Sequence, residues 1–225
     1  MPTAMMSQRL RRETGAGRRK VALILATLLF SASILWGQAT SRSFLVVDER
    51  TGKILMEHNI DEKLPVASLT NVATAVVVLD WVKVRNKKLT EPLVISQEAT
   101  LQGGSNPLQF RAGDTLSLRD ALSCSLMASD NVTAYALAEH VGMEMWRQSG
   151  SRAKSAVDFF VNQTNAMAKA RGMTRTRFVN PHGLDHGKAR GYSTARDMVK
   201  LGAYAMSKPP FTFIVGQKQR DIAYN

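Results

Sequence analysis

The sequence is poor in the residues that build disulfide frameworks and metal centres. It has one cysteine, Cys124, and four scattered histidines, which excludes an intramolecular disulfide and argues against a multi-cysteine or His-rich metal site. We therefore expect no metal and no other cofactor. Aromatic residues are only 7%, but the 44% hydrophobic and 21% charged side chains are those of an ordinary globular protein, and they exclude disordered and collagen-like classes.

The main apolar run is too short to span a bilayer comfortably, which takes about 20 residues. It covers Val21–Trp36, follows a basic arm that ends at Lys20, and precedes the small-x-small sequence Gly37-Gln38-Ala39. This order favours a cleaved signal peptide over residues 1–39, and a retained N-terminal membrane anchor is the alternative. Both interpretations place residues 40–225 outside the cytoplasm, in the periplasm or on the outer face of the cytoplasmic membrane.

Acidic residues are too few to balance the basic ones, and the formal net charge is +12. Nucleic-acid binding is not expected, because the chain is predicted to be exported and no binding motif accompanies the charge. The basic clusters Lys83–Lys88 and Lys169–Arg177 are typical of a solvated face, and contact with anionic wall polymers is the alternative.

The first part of the exported chain predicts a β-hairpin followed by a buried helix. Two aliphatic runs, Ser43–Asp48 and Lys53–His58, flank a turn that contains Gly52, which is typical of antiparallel strands. Pro65 then breaks the chain, and the segment from Ser68 to Val82 is apolar nearly all round. This pattern predicts a central helix that begins near Ser68.

The rest of the chain, within a single domain of residues 40–225, predicts a mostly helical subdomain. Residues 83–115 are turn-rich, with one short strand expected at Pro92–Ser96. Ser193 is the expected N-cap of a last helix, which Pro209-Pro210 should end. Before it, helical patterning predicts three helices, at Ser117–Met127, Val132–Val141 and Ala156–Arg171.

Ser68 is the side chain best placed for chemistry. It follows an extended Pro-Val-Ala entry and lies in the first turn of the predicted buried helix, where free backbone N–H groups create a positive potential. Such a position suits a nucleophile, and a plain N-cap is the alternative.

Four separated blocks around Ser68 and further along the chain resemble, in order and spacing, the serine D-alanyl-D-alanine carboxypeptidases, the low-molecular-mass penicillin-binding proteins. The resemblance implies an α/β fold of the α+β type, like that of β-lactamases and transpeptidases, with the hairpin in an antiparallel sheet beside a helical subdomain. It also implies peptidoglycan stem peptides and β-lactams as ligands, and hydrolysis of the terminal D-alanine through an acyl-serine. The blocks are Pro65–Thr70, Leu126–Asn131, Phe178–Asp185 and Tyr192–Asp197.

The resemblance assigns roles to three residues and leaves one position altered. In the family's S-x-x-K and S-x-N motifs, Ser68 matches the nucleophile, Ser129 the proton relay, and Asn131 the group that holds the substrate amide. The lysine position is occupied by Asn71, whose amide cannot accept the serine proton at neutral pH.

The family's third motif, Lys-Thr-Gly on a sheet strand, does not occur after Asp130. We expect a fold without the C-terminal sheet strands, in which the hairpin keeps an open edge that the Ser68 helix covers incompletely. Both departures predict impaired catalysis. The alternative to a working carboxypeptidase is therefore a truncated remnant or a pseudoenzyme that binds muropeptide or a partner protein, with any membrane contact limited to residues 21–36.

Overall fold

Helices and two small antiparallel sheets make up the computed structural model, which describes residues 41–185 and 190–225. The predicted signal peptide or anchor and its cleavage site lie outside these residues. Mixed helices and antiparallel strands confirm the predicted α+β class. In chain order the elements are β1 (Phe44–Val47), β2 (Ile54–His58), a 3₁₀ turn (Ala67–Leu69), α1 (Thr70–Val84), β3 (Pro92–Val94), α2 (Gln97–Gln102), β4 (Thr115–Ser117), α3 (Leu118–Met127), α4 (Asn131–Arg147), α5 (Ala156–Ala170), α6 (Ala195–Met206) and α7 (Pro209–Val215).

Strands β1 and β2 form the predicted hairpin. They pair antiparallel, with Phe44 opposite His58 and Leu45 opposite Glu57. The turn is held by Asp48, whose Oδ1 accepts hydrogen bonds from the backbone N–H of Thr51 at 2.7 Å and from its hydroxyl at 2.6 Å. Gly52 closes the turn with φ +70°, a conformation that costs glycine little.

Helix α1 is the central helix that the apolar segment predicts. Its side chains are buried on several sides, and Ala73, Val76 and Val78 are fully enclosed. The stretch Ala67–Val84 is long and apolar enough to cross a membrane by length and composition alone, but 56% of it is buried inside the fold. A helix that is apolar all round and enclosed by its neighbours is a core element.

The helical subdomain follows the predicted order, with one helix that the pattern did not indicate. Helices α3, α4 and α5 match the three predicted ones, and the break between α3 and α4 falls at the expected place. The additional helix is α2, which is capped by Ser96, whose hydroxyl accepts a hydrogen bond from Ala99 N at 2.9 Å. Its six residues are too few to show a hydrophobic period.

Helix α6 ends at Met206, before Pro209-Pro210, as expected, but its predicted N-cap and its place as the last helix are wrong. The N-cap of α6 is Thr194, whose side chain accepts from Asp197 N at 3.1 Å, whereas the Ser193 hydroxyl is used in a 2.7 Å hydrogen bond with Thr176. Pro209 begins the further helix α7, because proline at the first helical position lacks only an N–H that would be unpaired there anyway.

The hairpin is covered by α6 rather than by the helix that begins near Ser68, which corrects the expected arrangement. Leu45 of β1 shares a groove with Val199, Ala203 and Met206 of α6. The side chains of β2 remain exposed, including 60% of Met56. In the other sheet, strand β4 pairs with β3 and also contacts the C-terminal residue. Thr115 and Asn225 exchange backbone hydrogen bonds of 3.0 and 3.2 Å.

We expect Gly142→Ala to lower the free energy of unfolding by about 2 kcal/mol, because extra volume in a packed contact forces backbone shifts. A methyl group at Gly142 of α4 would overlap the carbonyl group of Ala156 and lie 3.1 Å from Phe160 Cβ. Urea unfolding followed by circular dichroism measures the change. The matched control is Gly202→Ala in α6, where nothing lies within 4 Å, and which should gain about 0.5–1 kcal/mol. Equal losses at both positions would contradict the packing argument.

Candidate active site

One cleft brings together three of the four residues that the sequence singled out. Ser68, Asn71 and Ser129 line a cavity of about 380 Å³ between the start of α1 and the end of α3. Ser125 lines it as well, and nothing in the sequence motif had pointed to that residue. Asn131, the fourth predicted residue, is the first residue of α4, is 4% exposed, and is not among the residues that line this cleft.

Ser68 lies in the exposed 3₁₀ turn that leads into α1, close to the predicted start of the helix. It is the middle residue of the 3₁₀ turn, and within the described residues no side chain caps either that turn or α1. The N-cap alternative is therefore wrong for Ser68. The residue is exposed and lies at the positive N-terminal end of a buried helix, where a developing negative charge is stabilised.

The backbone just before Ser68 is held in an uncommon conformation. Ala67 has φ +47°, which costs a non-glycine residue of order 1 kcal/mol or more. The preceding segment is anchored by Leu64, which exchanges backbone hydrogen bonds of 2.9 and 3.0 Å with Ser193. Strained backbone that the surrounding structure enforces is frequent at functional sites.

The loop Asn180–Leu184 packs against the backbone of Ala67 and supports its left-handed conformation. A Cβ atom on Gly183 would overlap the carbonyl oxygen of Ala67 and lie 2.7 Å from Thr70 Oγ1. Thr74 Oγ1 donates a 2.6 Å hydrogen bond to the Pro181 carbonyl, and Asn180 Oδ1 accepts one of 2.6 Å from Gly183 N. Gly183 is thus a residue of the site that the sequence analysis left without a role. The only available signal was its place in the Asn-Pro-His-Gly block.

His182 is buried in the same loop and belongs to the loop's own hydrogen-bond network. It is 1% exposed, and its Nδ1 accepts a 3.1 Å hydrogen bond from Leu184 N. This hydrogen bond helps to hold the backbone of the loop.

Asn71 is turned away from solvent at the floor of the cleft. It is 2% exposed, and its Nδ2 donates a 3.1 Å hydrogen bond to the Ser125 carbonyl in α3. Its Oδ1 has no hydrogen-bond partner among the described residues, and neither does the Ser125 hydroxyl. The amide nitrogen is a donor only, so Asn71 offers no lone pair basic enough to take a proton from Ser68.

The second block forms the turn from α3 into α4. Ser129 is partly exposed and has φ +54°, so Ser68 and Ser129 lie beside and at left-handed backbone, respectively. Asp130 caps α4, with its Oδ1 accepting from Thr133 N at 2.8 Å. Burial raises the pKa of the Asp130 carboxyl above its ordinary value, and the hydrogen bonds from Thr133 oppose that shift.

Asn131 and Cys124 lie behind this turn. The backbone N–H of Asn131 donates to the Ser105 carbonyl at 3.0 Å, and its side-chain Oδ1 has no partner among the described residues. Cys124 is 2% exposed, and desolvation, followed by the charges of Asp130 and Asp120, raises its pKa to about 12. A thiol with this pKa is protonated at neutral pH, so Cys124 acts as a buried small hydrophobe.

Metal chemistry receives no support from the described residues. In residues 41–185 and 190–225 no three His, Cys, Asp or Glu side chains are close enough together to hold an ion. The polar side chains that line the cleft are the hydroxyls of Ser68, Ser125 and Ser129 and the amide of Asn71.

Comparison with known proteins gives a consistent result. The family model described as D-alanyl-D-alanine carboxypeptidase, peptidase S11, matches residues 30–225. The chain is 33% identical over 191 residues to D-alanyl-D-alanine carboxypeptidase DacC of Escherichia coli, covering 82% of this chain and 44% of DacC. It is 37% identical over 164 residues to a D-alanyl-D-alanine endopeptidase of Pseudomonas aeruginosa, covering 73% of this chain and 47% of that protein. The chain thus spans less than half the length of these relatives.

Solved structures agree with the sequence comparison and confirm the predicted fold type. The D-alanyl-D-alanine carboxypeptidase DacD of Francisella tularensis superposes with a TM-score of 0.65 at 32% identity, covering 77% of this chain and 38% of DacD. A mutant of the Streptomyces K15 DD-transpeptidase gives 0.70 at 26% identity, covering 80% of this chain and 66% of that enzyme.

Proposed function

Because the chain belongs to the D-alanyl-D-alanine carboxypeptidase family, peptidase S11, we propose that its cleft binds peptidoglycan stem peptides. We also propose that acylation of Ser68 is strongly impaired. The proposed setting is the periplasm or the outer face of the cytoplasmic membrane, which the signal-like residues 1–39 support. The expected chemistry is that of the family, attack of a serine hydroxyl on the carbonyl before the terminal D-alanine.

Three residues receive roles in this proposal. Ser68 is the nucleophile, Ser129 relays the proton and Asn131 holds the substrate amide. Support for the first two is that Ser68 and Ser129 line one cleft. Support for the third is that the Asn131 Oδ1, which would accept a hydrogen bond from a ligand N–H, has no partner among the described residues.

The observation that carries the proposed impairment is the placement of Asn71. It lies three residues after Ser68, the position of the motif lysine, and its amide is tied to the Ser125 carbonyl. A serine hydroxyl needs a base to become an effective nucleophile. Loss of a general base typically lowers the rate about 10²- to 10⁴-fold, which favours a binding protein with residual acylation over an efficient carboxypeptidase.

Fluorescent penicillin tests the proposal, because an active family member forms a stable acyl-serine with it. We expect the unmodified 225-residue chain to give no labelled band after an incubation that labels a family member with the motif lysine completely. Mass spectrometry of the Ser68 peptide provides the measurement.

Binding is measured separately by the shift in unfolding temperature with a peptide that ends in D-Ala-D-Ala. A positive shift is expected, and an L-Ala-L-Ala peptide is the matched control. Complete labelling at Ser68 would contradict the proposed impairment. The absence of any difference between the two peptides would contradict the proposed ligand.

A further inference from the structure

The end of α1 that lies away from the cleft carries an exposed apolar residue between two cations. Helix α1 has 15 residues, so its last turn is about 20 Å from the turn that contains Ser68. Val84 in that last turn is 79% exposed, the largest value for any large apolar side chain in residues 41–185 and 190–225. Its neighbours Lys83 and Arg85 are exposed as well. A single exposed apolar residue is ordinary, so the surroundings of Val84 decide what it means.

Val84 borders an open groove between α1 and α5, which we call the α1–α5 groove. Its volume is about 420 Å³, within the range of ligand-binding pockets. Most of its walls are apolar side chains, among them Val77, Trp81, Val84, Met167 and Ala170. Val84 is therefore part of a continuous apolar surface, and such surfaces on soluble domains mark contact with a protein or a membrane.

Four cations border this groove and form its basic rim. Arg85 lines the groove itself, and Lys83 lines a second groove that meets the first at Asp80. Lys169 and Arg171 lie at the C-terminal end of α5, on either side of a residue that lines the α1–α5 groove. Within residues 41–185 and 190–225, none of the four forms an ion pair. Their charge is therefore available to a ligand.

The acidic residue of the two grooves does not balance this charge. In the described part of the chain Asp80 is the only acidic residue that lines either groove, and it is already engaged. It accepts a 2.8 Å hydrogen bond from the Tyr204 hydroxyl and forms an ion pair with Lys208. The guanidinium of Arg171 stacks on the same tyrosine ring, 3.6 Å from its centroid, which holds this cation beside the groove.

The rim and the groove together select the class of ligand. Helix C-termini favour cations by themselves, but this preference does not account for the exposed Val84 or the apolar groove. A purely anionic wall polymer would meet the rim and leave both in water. A bilayer with anionic headgroups satisfies all three, because Lys and Arg can extend to the phosphates while their stems stay in the apolar layer. Since Val84 is exposed rather than enclosed, it suits a planar layer that approaches from outside.

We propose that the surface made of the basic rim, Val84 and the α1–α5 groove docks onto a bilayer that contains anionic phospholipid. This surface is separate from residues 21–36, whose membrane contact the sequence predicts if they are retained. Because the cleft lies at the other end of α1, docking through this surface directs the cleft away from the bilayer. The inference does not depend on the role of Ser68.

The contact is tested with the environment-sensitive fluorophore NBD on Val84→Cys in the 225-residue chain. Cys124 is 2% exposed and protonated, so the label attaches to the new cysteine. We expect the emission to rise and to shift to shorter wavelength with vesicles of phosphatidylglycerol and phosphatidylcholine. Vesicles of phosphatidylcholine alone should need at least about 10-fold more lipid, because each basic residue near an anionic surface is worth about fivefold in affinity.

The control for position is Leu101→Cys with the same label. Leu101 is 65% exposed and lies in α2, outside the α1–α5 groove. Its emission should change little with either kind of vesicle. Residues 21–36 are present in both labelled chains, so a difference between them reports the surface itself and not an N-terminal anchor.

The rim is tested by removing two of its charges in the labelled Val84→Cys chain. Lys83→Gln together with Lys169→Gln should raise the lipid concentration at half-saturation about 25-fold, at about fivefold for each charge. The matched control is Arg50→Gln with Arg111→Gln, which removes the same charge at exposed sites outside the surface. Circular dichroism verifies that both variants fold. Added salt should weaken binding, because it screens exposed charges.

Each contrary result would overturn the inference. Equal changes at Val84→Cys and Leu101→Cys would show that the surface makes no specific contact. Equal effects of the two double substitutions would reduce the rim to a part of the overall net charge. A response to soluble polyphosphate or to an acidic amphipathic peptide, without a response to vesicles, would assign the surface to an anionic polymer or a protein. No response to any of them would leave a solvated basic face. Penicillin labelling, which decides the proposed impairment, is independent of all these results.

Discussion

Gly183→Ala is expected to lower the free energy of unfolding by about 3 kcal/mol, because the new methyl group has no space. It would overlap the carbonyl oxygen of Ala67 and lie 2.7 Å from Thr70 Oγ1. Gly183 also has φ +84°, a region that alanine adopts only with strain. Relief of the overlap requires movement of the backbone that precedes Ser68. Urea unfolding of the variant and of the unmodified chain measures the loss.

The matched control separates the steric overlap from the backbone strain. Gly113 has φ +97°, and nothing lies within 4 Å of a Cβ atom built there. Gly113→Ala should therefore lose only the strain, about 1–2 kcal/mol. Amide hydrogen exchange adds a local readout, and exchange at Ser68 and Leu69 should accelerate in Gly183→Ala alone. Equal losses of stability and unchanged exchange would contradict the view that this loop supports the Ser68 turn.

In the 225-residue chain, acylation of Ser68 should require two changes together. In the unmodified 225-residue chain, Asn71→Lys supplies a base but leaves the cleft without the third-motif strand that, by resemblance, completes the oxyanion hole and grips the substrate carboxylate. We expect Asn71→Lys alone not to label with fluorescent penicillin. The same variant extended by a C-terminal segment that carries Lys-Thr-Gly should label at least about 10³-fold faster than the unmodified chain, since each contribution is worth about 10²-fold or more.

Two further chains control this experiment. The extended chain that retains Asn71 should stay near the unmodified rate, which isolates the contribution of the lysine. Ser68→Ala in the extended lysine variant should abolish labelling. Full labelling by Asn71→Lys without the extension would show that the cleft already contains a sufficient oxyanion site. Labelling that survives Ser68→Ala would contradict the assignment of the nucleophile.

Local sequence patterns predict the hairpin but not the helix that packs against it. Alternating aliphatic residues and Gly52 predict two paired strands, because pairing across a short turn depends on neighbouring residues. The partner of Leu45 is α6, about 150 residues further along the chain, through Val199 and Ala203. Helix α6 has an apolar face of its own, and nothing in its spacing indicates which apolar surface it meets.

The N-terminus of α6 illustrates the same limit on a smaller scale. Ser193 and Thr194 are adjacent and both suit an N-cap by residue type. Only the packed structure separates them, because Thr176, on a loop that precedes α6 in the chain, pairs with the Ser193 hydroxyl. Thr194 is left to bind Asp197 N.

The sequence by itself determined most of the helices, the hairpin, and the presence of a serine without the motif lysine at the start of the buried helix. Hydrophobic period and turn residues determined the hairpin, α1 and the helices α3 to α5, and the motif placed Asn71 three residues after Ser68 at the start of the buried helix. The tertiary structure decided what surrounds these residues. Ser125 binds Asn71 across 54 positions and Gly183 supports Ala67 across more than 100. Such contacts depend on how packed elements meet in space, which no local period encodes.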